Sequence, residues 1–347
     1  MVIVCFGPGP VFKGGIANYN TSLAKAFDKR SDCEVHIVSW TQQYPAIIPR
    51  EFKDLASKKD QLEGTNIKVH YLTNYNNPLT WTNTANEIIK LKPDVVIFQW
   101  AIAIQGLPLG FIAKKLNKAG VKTVFDLHFV IQKEHSSIDK RFTKFALKNG
   151  KNFITHALKT FNELKEVFPE TNFQLFDKNE VIETEKLRSN GQLPVINLYH
   201  PVYDMFKPVP NYDIETFKAV HGLKKHVFLF FGFIRKYKGL HNVIPAFNLL
   251  AQKRDDVSLI ICGESFWKTL DKSKLSTRIK TGLFGLAKKI FLKKSDDESE
   301  YNPLALIEEL GIQDKVAVFN SFVPNEEVHK YFQVSDAVIL FYDYATP

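Results

Sequence analysis

The stretch HVFLFFGFIRKYKGLHNVIPAFNLL, from His226 to Leu250, has the order strand, glycine-containing loop, helix. The consecutive apolar residues from Val227 to Phe231 are typical of a strand that is buried on both faces of a parallel sheet. We expect Asn242 to cap the following helix, which would place Pro245 at the third helical position, where its missing N–H removes no hydrogen bond. The helix itself is predicted by an apolar stripe at Val243, Ile244, Phe247, Leu250 and Ala251.

The loop between this strand and helix is basic. It begins at Gly232 and carries Arg235, Lys236 and Lys238. In open α/β sheets, ligands bind at the carboxyl ends of the strands, where a helix N-terminus and fixed cations favour anions. The implied ligand is a phosphate or diphosphate, and the alternative is a loop of three solvated charges.

Length and composition describe an ordinary globular protein with two domains. The chain has 347 residues, of which 45% are hydrophobic and 24% charged. The cysteines Cys5, Cys33 and Cys262 are far apart and lack metal-ligand spacing, so we expect a reducing compartment and no metal. The chain opens directly into the strand-like residues 2–6, without the pattern of a signal peptide. A cytoplasmic protein is the expectation.

Further short apolar runs recur along the first half, separated by helical or loop segments. This alternation predicts a doubly wound parallel sheet. The uncharged segment from Val95 to Ala113 is long enough to cross a bilayer, but glutamines, glycines and a proline interrupt it, and we interpret it as strand, loop and helix. We interpret Thr171 to Gln192 as a surface loop or short helix. The other predicted strands are Val2 to Phe6, Glu34 to Ser39, Ile67 to Tyr71, Thr123 to Leu127 and Asn152 to Thr155.

A glycine-rich loop follows the first strand, from Gly7 to Gly15, and precedes a helix. Glycines permit positive φ angles and close approach of the backbone to a ligand. The dinucleotide fingerprint G-x-G-x-x-G is not matched, because its third glycine position is Phe12, so a nicotinamide cofactor is a weak interpretation. Gly14 and Gly15 are candidate ligand-contacting residues, with a tight turn without ligand as the alternative.

The segment DLHFVIQKE, from Asp126 to Glu134, is the second candidate site. His128 ends an apolar strand, which places it at the carboxyl edge of the sheet, where an imidazole can donate or accept a hydrogen bond near neutral pH. A structural histidine is the alternative. After the next strand of the second half, Glu264 occupies a comparable position.

Most of the net charge of +9 lies in one segment, Lys268 to Lys294, in which the single acid is Asp271. The remainder is nearly neutral, which argues against a nucleic-acid-binding surface. The apolar residues of the segment Lys268 to Lys294 follow one helical face, and a basic amphipathic helix of this kind suits an anionic membrane surface. The alternatives are a helix that packs on its own domain and shielding by the acids of 296–300. The basic residues are Lys268, Lys272, Lys274, Arg278, Lys280, Lys288, Lys289, Lys293 and Lys294.

The residues FFGFIRKYKGL, 230–240, resemble the start of the C-terminal domain in glycosyltransferases of the GT-B fold, family 4 type. The resemblance implies that an Arg and a Lys in this loop hold the diphosphate of a nucleotide-sugar donor. Lys238 matches the Lys-Gly of the family directly. Phe233 stands where the family has an Arg directly after Gly232, so Arg235 would serve from two positions later.

The resemblance extends to the first half of the chain. Gly14 and Gly15 match a Gly-Gly pair that faces the cleft, and His200-Pro201 resembles the motif that closes the N-terminal domain. It implies that His128 contacts the transferred sugar. In the family a His-Glu pair follows that histidine, whereas here the pair is Lys133-Glu134, so Glu134 alone carries over. No metal and no cofactor are implied beyond the nucleotide sugar itself.

The prediction is two Rossmann-like doubly wound domains facing a cleft, residues 1–207 on the acceptor side and 208–347 on the nucleotide-sugar side. A basic insertion falls at about 266–303. The resemblance implies a donor-binding loop and closing helices beyond Pro347, so we expect the second domain to be incomplete. The implied function is retaining sugar transfer to a hydroxyl of a glycan or lipid-linked acceptor, in glycan or polysaccharide assembly, at the cytoplasmic membrane face or in the cytoplasm.

Three alternatives stay open at this point. A nucleotide-sugar epimerase would share the fold and differ in its product. An inactive remnant or binding module would transfer no sugar even with the right substrates. A membrane-surface binding protein rests on Lys268 to Lys294 alone.

Overall fold

The computed structural model describes residues 1–46, 48, 51–131, 137–265 and 301–342. Contacts divide the chain into two compact units. The first comprises Met1–Ala46 and Gln61–Tyr203, and the second comprises Ile47–Asp60 and Asp204–Thr346. Each unit is an α/β structure built on its own parallel sheet.

The first unit contains eight strands and six helices among its described residues. Its helices are α1 (Gly15–Asp28), α2 (Pro78–Lys90), α3 (Gly106–Lys118), α4 (Ser137–Leu147), α5 (Leu158–Val167) and α6 (Thr184–Ser189). Its strands are β1 (Val2–Phe6), β2 (Glu34–Gln42), β3 (Lys68–Asn74), β4 (Val95–Trp100), β5 (Lys122–Leu127), β6 (Phe153–Thr155), β7 (Asn172–Asp177) and β8 (Gln192–Asn197).

The strands of the first unit are all parallel and lie in the order β3-β2-β1-β4-β5-β6-β8-β7. The direction of the strand order reverses between β1 and β4, which is where doubly wound sheets form a crevice for ligands. The central strands are buried on both faces, because helices cover the sheet, and their sequences are correspondingly rich in apolar residues. The carboxyl ends of β1, β4, β5, β6 and β8 therefore share one edge.

The second unit repeats this plan on a smaller scale. Its strands are β9 (His226–Phe231), β10 (Val257–Cys262), β11 (Val316–Phe319) and β12 (Ala337–Val338). Its helices are α7 (Ile214–Val220), α8 (Leu240–Ala251), α9 (Ala305–Glu309) and α10 (Val328–Val334). The four strands are parallel in the order β11-β10-β9-β12, so the order reverses between β9 and β12. The crevice position lies beside the carboxyl end of β9.

The predicted doubly wound architecture of both parts is confirmed, and three local predictions are wrong. Helix α8 begins at Leu240 with Gly239 as its N-cap, so Pro245 lies inside the helix. Pro245 has no N–H to donate to the carbonyl oxygen of the residue four positions earlier. The last strand, β12, ends at Val338, whereas the apolar run from Ala337 to Phe341 predicts a longer strand. The stretch 171–192 contains strand β7 besides helix α6. As a sheet-edge strand, β7 is only partly buried. Its sequence NFQLFD mixes polar and apolar residues and therefore did not predict a strand.

The segment 95–113 forms β4, a short 3-10 turn and the start of α3, as predicted. Across the described ranges, no helix combines the length and apolarity that a bilayer crossing requires. The predicted basic insertion lies outside the described residues over 266–300, and so does the chain end at Pro347.

Two histidines on neighbouring strands of the first unit form a direct hydrogen bond. Nδ1 of His36 on β2 lies 3.0 Å from Nε2 of His70 on β3, and Nε2 of His36 lies 3.3 Å from Oε1 of Glu34. Glu34 can only accept, so His36 donates to it and its Nδ1 accepts from His70. Burial lowers the pKa of both histidines, and the neighbouring charge of Lys68 lowers both further.

We expect this pair to make the first unit sensitive to acid. Because the folded-state pKa of each ring is lowered, the unfolded chain binds more protons near pH 6, and stability falls as pH drops below about 6.5. Replacing His36 and His70 together by Gln should reduce the loss of melting temperature between pH 7 and pH 5. Thermal unfolding followed by circular dichroism measures this, and an equal loss in the double variant contradicts it.

Candidate functional site

Polar side chains meet at the carboxyl edge of the first unit's sheet. They form a cluster, here called the histidine cluster, around Tyr19 of α1. Its ring centroid lies 4.8 Å from that of His128, 5.6 Å from that of His156 and 5.3 Å from that of His200. The three histidines follow β5, β6 and β8, whose carboxyl ends are neighbours in the sheet. Topology therefore assembles the cluster from distant parts of the sequence. It comprises Tyr19, Asp126, His128, His156 and His200.

Asp126 and His156 form a buried ion pair within this cluster. Nε2 of His156 lies 2.8 Å from Oδ1 of Asp126, and both side chains are 1% exposed. Nδ1 of His156 lies 3.2 Å from the carbonyl oxygen of Leu198. Neither acceptor carries a hydrogen, so both ring N–H groups donate and the ring is an imidazolium. The hydroxyl of Tyr19 donates to Oδ2 of Asp126 at 2.8 Å.

The pKa directions agree with this assignment. Burial by itself would lower the pKa of His156, but the hydrogen bond to Asp126 and the charge of Asp126 outweigh it and raise the pKa. Burial would likewise raise the pKa of Asp126, but the hydrogen bond from His156 and the nearby histidine charges lower it. Each shift favours the charged form of its residue.

His128 differs from His156 in its charge. The residue is 5% exposed, and burial lowers its pKa to about 4, which makes the ring neutral at physiological pH. Nε2 of His128 lies 2.7 Å from Oε1 of Gln99 on β4. With the amide oxygen as acceptor, Nε2 carries the hydrogen and Nδ1 keeps a free lone pair. A neutral ring of this kind can accept a hydrogen bond from a sugar hydroxyl.

The glycine-rich loop crosses the same edge and leads into α1. Gly14 caps the helix with φ 110° and ψ 169°, a backbone conformation that favours glycine. Since glycine has no side chain to cap the helix, the first amides of α1 are not occupied by a capping oxygen. The hydroxyl of Tyr203 donates to the carbonyl of Gly15 at 3.3 Å. Because the ring centroid of Tyr203 lies 5.9 Å from that of His200, this contact places the start of α1 beside the histidine cluster.

In the second unit, the basic loop lies at the carboxyl end of β9. Lys238 is the most informative residue, because burial and then the charge of Arg235 lower its pKa to about 8. Its ammonium lies 5.9 Å from the centroid of the Tyr342 ring, and the guanidinium of Arg235 lies 5.8 Å from that of Tyr237. Two cations brought together in partial burial repel each other, and an anion between them would relieve this cost.

Two glycines fix the backbone around Lys238. Gly232 has φ 103°, and a β-carbon there would lie 2.6 Å from Nζ of Lys238. Gly263 has φ 147°, and a β-carbon there would overlap the carbonyl group of Gly232. The ends of β9 and β10 approach each other this closely because neither position has a side chain. Glu264, which is buried, follows directly and accepts the amide of Ile234 at 3.0 Å through its backbone carbonyl.

The structure brings the predicted residues together in two groups, each within one unit. Gly232, Arg235 and Lys238 share the basic loop, with Glu264 on the adjoining strand end, whereas His128 lies at the edge that carries Gly14 and Gly15. Glu134 lies outside the described residues. Their roles in binding and catalysis stay predictions, as does a membrane contact through residues 268–294, which are not described.

Sequence analysis missed four members of the first unit's site: Tyr19, Gln99, Asp126 and His156. One signal could have found His156, because it follows the short strand FIT just as His128 follows its own strand. Asp126 precedes His128 by two residues and could have been paired with it as a candidate. No sequence pattern indicated Tyr19, whose role arises from the packing of α1 on the sheet. Although three histidines are close, no group of three or more His, Cys, Asp or Glu within the described residues is arranged to hold a metal ion.

One family model and several solved structures are similar to this chain. Residues 212–344 match the family model of Glycosyl transferases group 1. A search of the curated proteins finds no match. Among solved structures, the chain is similar to HepE of Anabaena in complex with UDP, with 16% identity and a TM-score of 0.57 over 100% of this chain and 76% of that one. The catalytic domain of starch synthase IV from Arabidopsis thaliana, bound to ADP and acarbose, has 12% identity and a TM-score of 0.53 over 99% and 78%.

A third similar structure is described as trehalose-6-phosphate from E. coli bound with UDP-2-fluoro glucose. It has 12% identity and a TM-score of 0.55, and the match covers 100% of this chain and 79% of that one. At these identities the similarity establishes the GT-B fold, with two parallel-sheet α/β domains of which the second is small.

Proposed function

We propose that this chain, whose residues 212–344 match the family model of Glycosyl transferases group 1, transfers a sugar from a nucleotide-diphosphate donor to an acceptor hydroxyl. The observation that carries the proposal is Lys238, an ammonium held in partial burial beside Gly232 and near Arg235. A buried cation at the carboxyl end of a sheet strand favours a dianionic ligand. The similar structures with bound UDP or ADP support a nucleoside diphosphate as that ligand.

In the proposed reaction, the bond between the anomeric carbon and the diphosphate oxygen breaks, and the electron pair leaves with the diphosphate. The acceptor hydroxyl oxygen forms the new bond to the anomeric carbon, and its proton passes to the departing phosphate. Attack from the face that the diphosphate leaves gives retention. Lys238 and Arg235 would stabilise the charge that develops on the leaving group, which is the electrostatic role of an oxyanion-type site.

The first unit supplies groups suited to the sugar and its acceptor. The neutral imidazole of His128 can hydrogen-bond a hydroxyl of the transferred sugar, and the amides at Gly14 and Gly15 can contact donor or acceptor oxygens. We propose a glycan or lipid-linked glycan as the acceptor class and the cytoplasm or its membrane face as the location. The membrane part of this proposal rests on the basic residues 268–294 of the sequence alone.

Product analysis tests the reaction directly. The chain is incubated with UDP- and ADP-sugars and a panel of glycan acceptors, and the products are examined by NMR for the new linkage and its anomeric configuration. Transfer with retention supports the proposal. Release of an epimerised donor without transfer, or no turnover of any donor, contradicts it.

We expect UDP binding to weaken as the pH rises above about 8. The ammonium of Lys238 in the free protein loses its proton there, because its pKa is lowered to about 8, whereas diphosphate binding needs the charged form. The dissociation constant should then rise by up to about tenfold per pH unit. Calorimetric titration with UDP from pH 6.5 to 9.5 measures this, and Lys238→Arg should flatten the profile. If the dissociation constant of the wild type does not rise above pH 8, the assignment of Lys238 to the diphosphate is contradicted.

A further inference from the structure

The carboxylate of Asp126 has two histidines within reach. His128 follows it by two residues at the end of β5, and His156 donates to its Oδ1 at 2.8 Å. The second oxygen of Asp126 is occupied by the hydroxyl of Tyr19 at 2.8 Å. The carboxylate is therefore paired with His156 and hydrogen-bonded on both oxygens. Its charge raises the pKa of His128, but burial lowers that pKa by more.

Among the described residues, the other neighbours of His128 carry no negative charge. Tyr19 packs against it edge to face, and Gln99 contributes a neutral amide at 2.7 Å. His156 lies 6.0 Å away between ring centroids, and as an imidazolium it opposes a second positive charge. Burial acts in the same direction. The titratable groups facing His128 in the described residues are Tyr19 from α1, Asp126 from β5, His156 after β6 and His200 after β8.

We propose that the ion pair of Asp126 and His156 serves to position His128. Because His156 balances the charge of the carboxylate, His128 meets the sugar as a neutral imidazole in a fixed orientation. Without His156, the carboxylate would attract a proton to His128, and an imidazolium would lose the lone pair that accepts from a hydroxyl. The inference rests on the proposed function for its purpose, but the charge arrangement can be measured without any substrate.

The residues around the ion pair also fix the orientation of the His128 ring. Gln99 holds Nε2 on one side, and Tyr19 stands edge-on at 4.8 Å on another. Tyr19 is itself held by its hydrogen bond to Asp126. The imidazole of His156 is held by the carbonyl oxygen of Leu198 at 3.2 Å. Asp126, His156, Tyr19 and Gln99 are therefore positioning residues, which act on the substrate through His128.

The decisive experiment removes the charge of His156 while keeping a hydrogen-bond donor. In His156→Gln, the amide can donate to Asp126, but the carboxylate is no longer neutralised. We expect the ring of His128, followed by NMR of histidine-labelled protein and assigned with His128→Gln, to titrate at least about one pH unit higher than in the wild type. In the double variant Asp126→Asn, His156→Gln, both charges are gone, and the titration of His128 should return towards the wild-type value.

A merely structural role for His156 would not produce this pattern, because the double variant would then be the more disturbed one. His226→Gln, a matched substitution of a surface histidine paired with Asp256 in the second unit, should leave the titration of His128 unchanged. If His156→Gln does not fold, the titration of the wild-type protein is the test. His156 must then titrate above the ordinary range of a histidine, while His128 stays neutral down to pH 5. A His128 ring that titrates near 6.5 in the wild type overturns the inference.

Activity adds a second readout. If the chain transfers sugar, the acid limb of its pH–kcat/KM profile should move to higher pH in His156→Gln and return in the double variant. Active protein whose acid limb stays in place in His156→Gln overturns the positioning role. Absence of transfer in all variants contradicts the proposed function instead, and the NMR titration still supports or overturns the charge arrangement.

Discussion

Lys238→Ala is expected to weaken UDP binding by about 100-fold and to reduce kcat/KM by a factor of about 100 to 1,000. The ammonium is the cation that the second unit holds in partial burial beside Gly232, and the pKa of Lys238, lowered to about 8, shows that the fold opposes its charge when no anion is bound. A bound diphosphate would supply the missing counter-charge. Calorimetric titration with UDP and steady-state kinetics measure the two effects.

The same residue allows loss of binding to be separated from loss of folding. In Lys238→Met, the aliphatic chain stays and the charge goes. The cost of burying the ammonium is fully present below pH 8 and is relieved as the pH rises towards 10.5, so at pH 7 this variant should be more stable than the wild type by on the order of 2 kcal/mol. It should nevertheless fail to bind UDP. Lys253→Ala, at an exposed lysine that follows α8, is the control and should change neither property. Retained UDP affinity in a folded Lys238→Met protein contradicts the donor site proposed for this loop.

Gly263→Ala is expected to destabilise the second unit by about 3 kcal/mol or more and to reduce UDP binding with it. The glycine has φ 147°, and an added methyl group would overlap the carbonyl group of Gly232. Backbone atoms cannot rotate away as a side chain can, so β9 and β10 would have to separate at the end where Lys238 lies. Denaturant unfolding measures the loss of stability.

Gly311→Ala is the matched control for this prediction. Gly311 also has a positive φ, 66°, but apart from its chain neighbours no heavy atom of the described residues lies within 4 Å of the position that a β-carbon would take. Its substitution should cost only about 1 kcal/mol, the usual penalty of an alanine in the left-handed region. Equal losses in the two variants would show that backbone conformation, rather than the contact with Gly232, limits position 263.

The sequence by itself determined the two α/β sheets and the order of nearly all their strands and helices. Apolar runs such as VIVCF and HVFLFF predict buried parallel strands, because each residue of such a strand faces a covering helix on one side or the other. The glycine-containing loop with Lys238 and the strand-terminal His128 were found for the same reason. Both are local patterns, in which a few neighbouring residues carry the whole signal.

Only the tertiary structure decided which groups carry charge and which residues meet. Asp126 and His156 are 30 positions apart and become partners because β5 and β6 are adjacent in the sheet. The edge strand β7 escaped prediction because an exposed strand does not need an apolar sequence. The neutral state of His128 and the lowered pKa of Lys238 both follow from burial, which sequence spacing does not measure. A residue's type and position in a motif are local properties, whereas its protonation state depends on the solvent and the charges that the folded chain places around it.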